Sequence, residues 1–251
     1  MKEWFNMSRE DRGLIFIQVG VKKNLPPAAI EKDWWVMLAL RTIFSSKYQE
    51  SLVFKGGTSL SKAWGLIERF SEDIDLAMDR SFFGFEGDLG RKQVTRLRKA
   101  SCKFVDKEFK QYLNKVLIEN GVKEFKIITV DFERSDTDPL TIELKYESLT
   151  EKLDYLKPSI LIEISARALR EPLENRDIVS FIGEEYIDQK FADKPIAIPT
   201  VLPSRTLLEK VFLLHEEFQK PKGRKINSER MTRHLYDISR IMDTEFLARV
   251  S

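Results

Sequence analysis

Two short stretches of the chain carry the residue types that phosphate chemistry requires. Residues 54–60 read Phe-Lys-Gly-Gly-Thr-Ser-Leu, and Asp73 and Asp75 follow within the segment Glu-Asp-Ile-Asp. Paired glycines after a strand let the backbone approach a ligand, and the first turn of a following helix offers free N–H groups to phosphate. Two aspartates two residues apart on a strand share one face, where their hard oxygen atoms suit Mg²⁺.

The order of the two stretches is more informative than either stretch alone. A Gly-Gly pair is usually only a turn, and an Asp-x-Asp segment often lies on a solvated strand edge. The ordered pattern predicts a phosphate site beside a metal site: a strand, a Gly-Gly pair, a helix and then a strand with Asp-x-Asp. A metal held there can activate an attacking hydroxyl and stabilise a leaving pyrophosphate. The pattern differs from a Walker P-loop, because no Gly-Lys-Ser/Thr follows the glycines.

A third carboxylate from a neighbouring strand would complete the metal site. Glu163 is the candidate, because it faces away from the apolar side of the strand that Ile160, Ile162 and Ile164 form. Asp131 and Glu143 are alternatives that the sequence leaves open.

Hydrophobic periodicity predicts the elements that position these residues. Helices are predicted at 30–44, from Thr58 or Ser59 to about 68, and at 93–120, 204–218 and 229–243. Strands are predicted at 51–55, 71–78, 125–132, 140–146, 159–165 and 178–182, and the prolines at 195, 199 and 203 predict a linker. We expect an α+β fold with a core at 1–200 that includes N-terminal helices, and a C-terminal helical region at 201–251. The abrupt end leaves open whether a further segment follows.

Composition excludes several classes of protein. The 251 residues contain 42 basic and 40 acidic side chains and are 42% hydrophobic, which is typical of a globular chain. The longest apolar run, Trp34 to Leu40, is far too short to span a membrane. A single cysteine, Cys102, and two histidines exclude a disulfide framework and a Cys/His zinc cluster. We therefore expect a soluble cytoplasmic protein with no membrane partner.

Local charge is strongly uneven although the net charge is only +2. Residues 68–88 hold seven acidic and two basic side chains. Residues 91–110 hold eight basic and two acidic ones, and residues 219–240 hold seven basic and two acidic ones. An acidic centre between basic segments can bind a metal and an anionic substrate together. The basic segments would then contact the phosphate backbone of a nucleic acid. The alternative is that these runs are ordinary solvated helix faces.

Residues 54–60 followed by 69–76 (Arg-Phe-Ser-Glu-Asp-Ile-Asp-Leu) closely resemble the AbiEii type of nucleotidyltransferase. This family is the toxin half of type IV toxin–antitoxin and phage-abortive systems. The mycobacterial MenT toxins look like relatives, and all belong to the DNA polymerase beta-like nucleotidyltransferase superfamily. Residues 31–34, Glu209-Lys210 and residues 233–237 resemble further motifs of the family, so that the resemblance covers roughly residues 30–240.

The resemblance implies a polymerase beta-like core, a mixed sheet flanked by helices, with the active site in a cleft beside a C-terminal helical region. It implies a nucleoside triphosphate as substrate, Mg²⁺ or alternatively Mn²⁺ as cofactor, tRNA as the acceptor and a cognate antitoxin as partner. Gly56, Gly57, Thr58 and Ser59 would hold the triphosphate, and Asp73 and Asp75, with Glu163 as the candidate third ligand, would bind the metals.

Two residues of the late helices complete the set of catalytic residues that the resemblance implies. Lys210 would neutralise triphosphate charge, and Asp237 would position Lys210 or take part in proton transfer. His234 stands near the slot where the family often has a lysine. The helical pattern places Lys210 at the border of an apolar stripe, which also fits a surface lysine with a buried stem. A protein hydroxyl as acceptor and a non-catalytic NTP-binding regulator stay open as alternatives.

Overall fold

A mixed seven-stranded sheet organises the part of the chain that the structure describes. The computed structural model describes residues 2–71, 73–130, 135–168, 170–221 and 228–250. The strands are β1 (Leu52–Lys55), β2 (Ile74–Met78), β3 (Phe125–Val130), β4 (Leu140–Tyr146), β5 (Ser159–Ser165), β6 (Leu173–Ile178) and β7 (Ile196–Val201). Their order across the sheet is β3-β4-β5-β2-β1-β7-β6. Strand β2 is antiparallel to β1 and parallel to β5, and β7 is parallel to β1.

Helices surround this sheet. They are α1 (Lys2–Asn6), α2 (Arg9–Lys23), α3 (Pro27–Phe44), α4 (Gly56–Lys62), α5 (Arg91–Phe104), α6 (Lys110–Glu119), α7 (Phe181–Glu185), α8 (Pro203–Phe218) and α9 (Ser228–Met242). Helix α3 begins at Pro27, whose fixed φ suits the first helical position. It is buried along most of its length and contacts α2, α6, α7 and β5. In the described ranges, every helix is too short or too polar to cross a lipid bilayer.

The two faces of the central strands differ in character, because successive side chains of a strand point to opposite sides. The isoleucines of β5 at 160, 162 and 164 are fully buried, as are Ile74 and Met78 of β2. They join the main apolar core with the side chains of α3. The opposite face of the same two strands carries Asp75 and Glu163, which are register partners. The core thus anchors two strands whose other face holds carboxylates.

Buried charges on α3 tie this helix to its surroundings. Glu31 accepts hydrogen bonds from groups of residues 148–150. Asp33 lies 2.6 Å from the Lys62 ammonium and accepts a hydrogen bond from the Phe181 N–H. Burial raises the pKa of Asp33 in spite of Lys62. Because Lys62 is the last residue of α4, the pair fixes α4 against α3.

The expected α+β class is confirmed, and most predicted elements are present within a few residues. Helices predicted at 30–44, 204–218 and 229–243 correspond to α3, α8 and α9. Strands predicted at 51–55, 140–146 and 159–165 correspond to β1, β4 and β5. The strand predicted at 125–132 is β3 as far as Val130, and residues 131–132 lie outside the described residues.

Two predictions in the second half of the chain are wrong. The strand predicted at 178–182 is instead the end of β6 and the start of α7, because the Ser180 hydroxyl caps that helix at the Gly183 N–H. The segment between Pro195 and Pro203 is not a linker. It forms strand β7, which includes Pro199 and pairs in full with β6 but at only one register position with β1.

Two predicted helices have different bounds. The helix predicted at 93–120 spans α5 and α6, with a wider π-helical turn at Val105–Phe109 between them. Helix α4 already starts at Gly56, so neither Thr58 nor Ser59 is its cap, and it ends at Lys62 rather than near residue 68. The glycine at 65 follows with φ of +62°, a conformation that stops a helix. The division of the chain at residue 200 stays a prediction.

Candidate active site

Sheet register brings three of the predicted carboxylates to one face. Asp75 pairs with Glu163 on β5 and with Lys55 on β1, so these side chains are neighbours on the same side of the sheet. Asp73 lies just before β2 and, two residues from Asp75, shares its face. Of the alternatives, Glu143 pairs with Leu161 and lies 3.3 Å from the Lys145 ammonium. Asp131 lies outside the described residues.

Gly56 makes room for the carboxylate of Asp75. Its φ of +78° is one that side chains rarely adopt. A Cβ atom at this position would stand 1.9 Å from Asp75 Oδ2. The next glycine, Gly57, has a similar role, since its Cβ would stand 2.8 Å from the Ser71 hydroxyl. The paired glycines therefore let the turn pack closely against β2 and the segment just before it.

The hydroxyl groups of the turn have partners inside the protein. The Ser59 hydroxyl donates to the carbonyl of Gly56 at 2.9 Å, and Thr58 shares a 3.0 Å hydrogen bond with Ser71. Both residues are buried, at 0% and 1% exposure. These side chains brace the turn, so what the turn offers to a phosphate is backbone N–H groups at the start of a helix.

The charges on this face act strongly on Asp75. Burial raises the pKa of Asp75 to about 7, and the negative charge of Glu163 adds to this increase. The positive charges of Lys55 and Lys210 lower the pKa of Asp75, and the negative charge of Asp73 raises it. Of these three effects, that of Lys55 is the largest and that of Lys210 the smallest. All five residues are therefore close enough to form one electrostatic group, and its carboxylates would be relieved by a bound cation.

These donor atoms fit a hard divalent cation, although their present positions do not form a complete ligand set. Across the described ranges, no three Asp, Glu, His or Cys side chains are arranged as a metal site. Asp73, Asp75 and Glu163 nevertheless supply carboxylate oxygens from one face, which is the donor type that Mg²⁺ takes. Glu72, within the same motif, lies outside the described residues.

Lys210 reaches this face from α8 and is held by a buried carboxylate. It is only 6% exposed, and its ammonium lies 2.8 Å from Asp237 on α9. Asp237, which is fully buried, also accepts two hydrogen bonds from the Arg69 guanidinium, at 2.8 and 2.6 Å. Burial alone would raise the pKa of Asp237, but the Arg69 hydrogen bonds and the Lys210 charge outweigh it and lower that pKa. His234 Nδ1 lies 3.5 Å from the Lys210 ammonium.

Several residues of the site were not assigned a role from the sequence. Arg69 and Lys55 were both part of the recognised motifs, but their partners are distant in the chain. Lys55 donates to Glu209 at 2.7 Å, and Arg69 binds Asp237 across 168 residues. The signal that could have found them is their position: a basic residue flanks each of the two motifs, and such a residue needs a counter-charge when it is half-buried.

The basic segment 219–240 is only partly described. Lys220 lies at the surface and pairs with Glu217. The basic side chains at 222, 224 and 225, which we expect to take part in binding the acceptor, lie outside the described residues.

Comparison with known proteins identifies relatives of this chain. The family described as nucleotidyl transferase AbiEii toxin, type IV TA system, matches residues 38–250. None of the curated proteins matches. Among solved structures, the chain is similar to MenT4, the nucleotidyltransferase toxin Rv2826c from Mycobacterium tuberculosis H37Rv. The two share 18% sequence identity over 91% of this chain and 68% of that one, with a TM-score of 0.45.

Proposed function

Because the chain belongs to the AbiEii family of nucleotidyltransferase toxins of type IV toxin–antitoxin systems, we propose that it transfers a nucleoside monophosphate to the 3′ end of tRNA. The observation that carries this proposal is the convergence of Asp73, Asp75 and Glu163 with the Gly56 turn and Lys210 on one face. In the reaction, the acceptor oxygen bonds to the α-phosphorus, the bond from that phosphorus to the bridging oxygen breaks, and pyrophosphate leaves.

The donor nucleotide would lie between the α4 turn and α8. Backbone N–H groups of residues 56–59 would bind the triphosphate oxygens. Lys210 would face the β- and γ-phosphates and stabilise the charge that grows on the leaving pyrophosphate. Asp237, which already accepts from Arg69 and pairs with Lys210, would hold that ammonium in place. With its oxygens engaged in this way, Asp237 acts by positioning Lys210 rather than by taking a proton.

Asp73, Asp75 and Glu163 would hold the metal, Mg²⁺ or alternatively Mn²⁺. When bound, the metal supplies activation of the acceptor hydroxyl and neutralisation of phosphate charge. The protein's own contribution is to fix the carboxylates on adjacent strands, so that they need little reorganisation when the substrates arrive. The matching antitoxin, as partner of a type IV toxin, belongs to the same proposal.

The acceptor is the part of the proposal that a single experiment decides. The protein is incubated with each labelled nucleoside triphosphate, Mg²⁺ and total RNA, and the products are treated with RNase or protease. We expect label in tRNA that RNase removes. Label that only protease removes would indicate a protein hydroxyl as acceptor, and binding without transfer would indicate a non-catalytic regulator.

Asp73→Ala and Asp75→Ala are the matched variants for this assay. Each removes one hard ligand while the apolar face of β2 stays intact, so we expect folded proteins without transfer activity. Asp188→Ala, an exposed aspartate outside the site, is the control. Transfer at the wild-type rate by both well-folded site variants would contradict the assignment.

A further inference from the structure

Lys55, the last residue of β1, lies on the face of the sheet that carries the three carboxylates of the candidate site. It is the register partner of Asp75, and residues directly opposite each other on antiparallel strands have Cβ atoms about 4.5–5.5 Å apart. The Asp75 carboxylate also lies against Gly56, the residue that follows Lys55, since a Cβ atom there would stand 1.9 Å from Oδ2. The strand pairing and the turn therefore both place Lys55 beside Asp75.

The charge of Lys55 acts on Asp75 more strongly than the charge of Lys210 does. Both lower the pKa of Asp75, and the effect of Lys55 is the larger. This order agrees with the strand pairing, because the interaction of two charges weakens with distance. Lys210 reaches the face from α8, whereas Lys55 belongs to the sheet itself. The candidate site therefore has two cations, one close to Asp75 and one farther from it.

A carboxylate of α8 holds the ammonium of Lys55. The ammonium donates to Glu209 at 2.7 Å, and the two side chains are only 17% and 23% exposed. Lys210 is held in a similar way, by Asp237 at 2.8 Å. An ammonium has three N–H donors. Within the described ranges Glu209 accepts from one of those of Lys55, and the other two have no hydrogen-bond acceptor and can donate to a ligand.

Other contacts already dock α8 beside the candidate site. Leu207 packs in an apolar cluster with side chains of α4, α9 and the segment after α4, and Lys210 pairs with Asp237. An ion pair whose side chains keep contact with solvent adds little to such packing. The position of Lys55 among carboxylates that are proposed to hold a metal instead suits a group that contacts an anionic ligand at that metal.

We propose that Lys55 is a catalytic residue that contacts the α-phosphate of the nucleoside triphosphate, and that Glu209 positions its ammonium. The inference rests on the proposed function, in which the acceptor oxygen attacks the α-phosphorus beside Asp75. The cation nearest Asp75 therefore meets the α-phosphate, and Lys210 meets the β- and γ-phosphates that leave. Lys55 keeps its proton, donates a hydrogen bond to a non-bridging oxygen of the α-phosphate and stabilises its charge in the transition state.

Binding measurements test this role without depending on transfer. Calorimetry with Mg²⁺ present follows each of the four nucleoside triphosphates, and competition against the triphosphate follows the corresponding monophosphate. K55M and E209Q are compared with K210M and with K190M, the exposed-lysine control. K55R keeps the positive charge at the site. Melting curves confirm that all five variants are folded.

We expect K55M to weaken binding of the triphosphate and of its monophosphate about tenfold each, because it removes a charge-assisted hydrogen bond to the α-phosphate. K210M is expected to weaken the triphosphate alone, K190M to change neither, and K55R to restore most of the loss. E209Q is expected to weaken both ligands, because Lys55 loses its position. If Glu209 acted only through its charge, its removal would instead strengthen the binding of an anion.

Binding of Mn²⁺ without nucleotide, measured by electron paramagnetic resonance of the free ion, gives a result of opposite sign. K55M removes a positive charge beside the carboxylates, so we expect it to bind Mn²⁺ about threefold more tightly. E209Q releases Lys55 toward Asp75, so we expect it to bind Mn²⁺ more weakly. An ion pair that only docks α8 would lower the melting temperature equally in both variants and leave all affinities unchanged, and that result would overturn the inference.

The outcomes separate this inference from the proposed function. Wild-type affinity of K55M for the monophosphate would overturn the contact with the α-phosphate, even if the wild-type protein labels tRNA. Tighter nucleotide binding by E209Q would overturn the positioning role of Glu209. The expected affinities in a protein that labels no tRNA would support the role of Lys55 and reject tRNA as acceptor. A wild-type protein that binds none of the nucleotides would overturn the inference and the proposed function together.

Discussion

At the scale of single residues, the contact between Gly56 and Asp75 sets how closely the start of α4 approaches strand β2. The φ of +78° and the absence of a side chain are both needed, because a Cβ atom would overlap the carboxylate. Gly65 has a similar φ of +62° but has no atom within 4 Å of a Cβ position. Substitution of Gly65 therefore tests backbone strain alone, whereas substitution of Gly56 adds steric overlap with Asp75.

We predict that Gly56→Ala abolishes most transfer activity, whereas Gly65→Ala keeps it. Both substitutions introduce strain of about 1–2 kcal/mol from the positive φ. Only Gly56→Ala also displaces the Asp75 carboxylate from its position. Transfer rates and urea unfolding of the two variants check this. Equal activity in both, at equal stability, would show that the Gly56 contact does not matter for the site.

Lys210→Met removes a charge and keeps most of the side-chain stem. Asp237 retains its two hydrogen bonds from Arg69 in this variant, so the buried carboxylate is not left alone. We expect turnover to fall about a hundredfold or more, as for loss of one preorganised electrostatic group, with little change in melting temperature. Steady-state kinetics beside the exposed-lysine control Lys190→Met measure this, and normal turnover would contradict the assigned role.

The raised pKa of Asp75 predicts a stability that depends on pH. In the metal-free folded protein the pKa of Asp75 is about 7, against 3.8 in the unfolded chain. Between these pH values the folded state binds more protons, so the free energy of unfolding falls as pH rises. Asp75→Asn has no such loss and should be more stable than the wild type at pH 8, by about 1–2 kcal/mol after solvent screening.

Urea unfolding in EDTA at pH 4 and pH 8 measures this difference. The two proteins should be nearly equal at pH 4, and added Mg²⁺ should stabilise only the wild type at pH 8. A constant difference at both pH values would mean that Asp75 titrates normally.

At the scale of elements, Asp237 joins α9 to two other parts of the chain. Arg69 lies in the connection between α4 and β2, and Lys210 lies on α8. A fully buried carboxylate is favourable only while a cationic partner neutralises it, and Arg69, with two hydrogen bonds, is the stronger of the two partners of Asp237. The same contact therefore also holds α8 and α9 against the connection between α4 and β2.

We predict that Asp237→Asn costs about 3–5 kcal/mol of stability, because it leaves two cations near a buried neutral amide. The pKa of Asp237 is lowered in the folded protein. Its contribution is therefore complete above its unfolded pKa of 3.8 and is lost as pH falls through the lower folded value. The free energies of unfolding of Asp237→Asn and of the exposed control Asp243→Asn are measured at pH 7 and pH 2.5. We expect Asp237→Asn to be less stable at pH 7, and the difference to become smaller at pH 2.5. Equal stability of the two variants at pH 7 would contradict the structural role of the contact of Asp237 with Arg69 and Lys210.

Local patterns predicted those elements whose side chains repeat clearly, and missed those that tertiary context decides. Helices α3 and α8 have apolar residues at helical spacing and a proline at the start, and both were predicted. Strand β7 was missed because Pro195, Pro199 and Pro203 outweigh its alternation of buried side chains at 198 and 200. Proline is unusual inside a sheet, and its presence here depends on a neighbour, β1, that pairs with β7 at only one position.

The site was predictable to the extent that its residues are close in sequence. One strand–turn–helix–strand pattern is enough to predict the glycine turn, Asp73 and Asp75 as neighbours in a site. Glu163 could not be separated from Asp131 and Glu143 until register placed it beside Asp75. The Arg69–Asp237 contact could not be predicted, because only the fold brings together side chains 168 residues apart.

At the scale of the whole molecule, the candidate site lies where two apolar clusters meet. The larger cluster joins the sheet to α3 and its neighbours. A smaller one, formed by Leu60, Ile67, Leu207 and Ile241, joins α4 and the segment after it to α8 and α9. Residues of the first cluster's strands supply the carboxylates, and helices of the second supply Lys210 and Asp237. The site therefore depends on how the C-terminal helices dock.

The wide spacing of the site residues along the chain also has a consequence during protein synthesis. At roughly 5–20 residues per second, the 135 residues from Asp75 to Lys210 take about 7–27 seconds to translate. During that time a nascent chain contains Asp73 and Asp75 but lacks Lys210, the residue that we propose to face the triphosphate. With the role proposed for Lys210, a nonsense or frameshift mutation between codons 75 and 210 leaves a chain that has both aspartates and no Lys210, and we expect no transfer activity from it. The stretch of gene in which one such mutation inactivates the protein is therefore long.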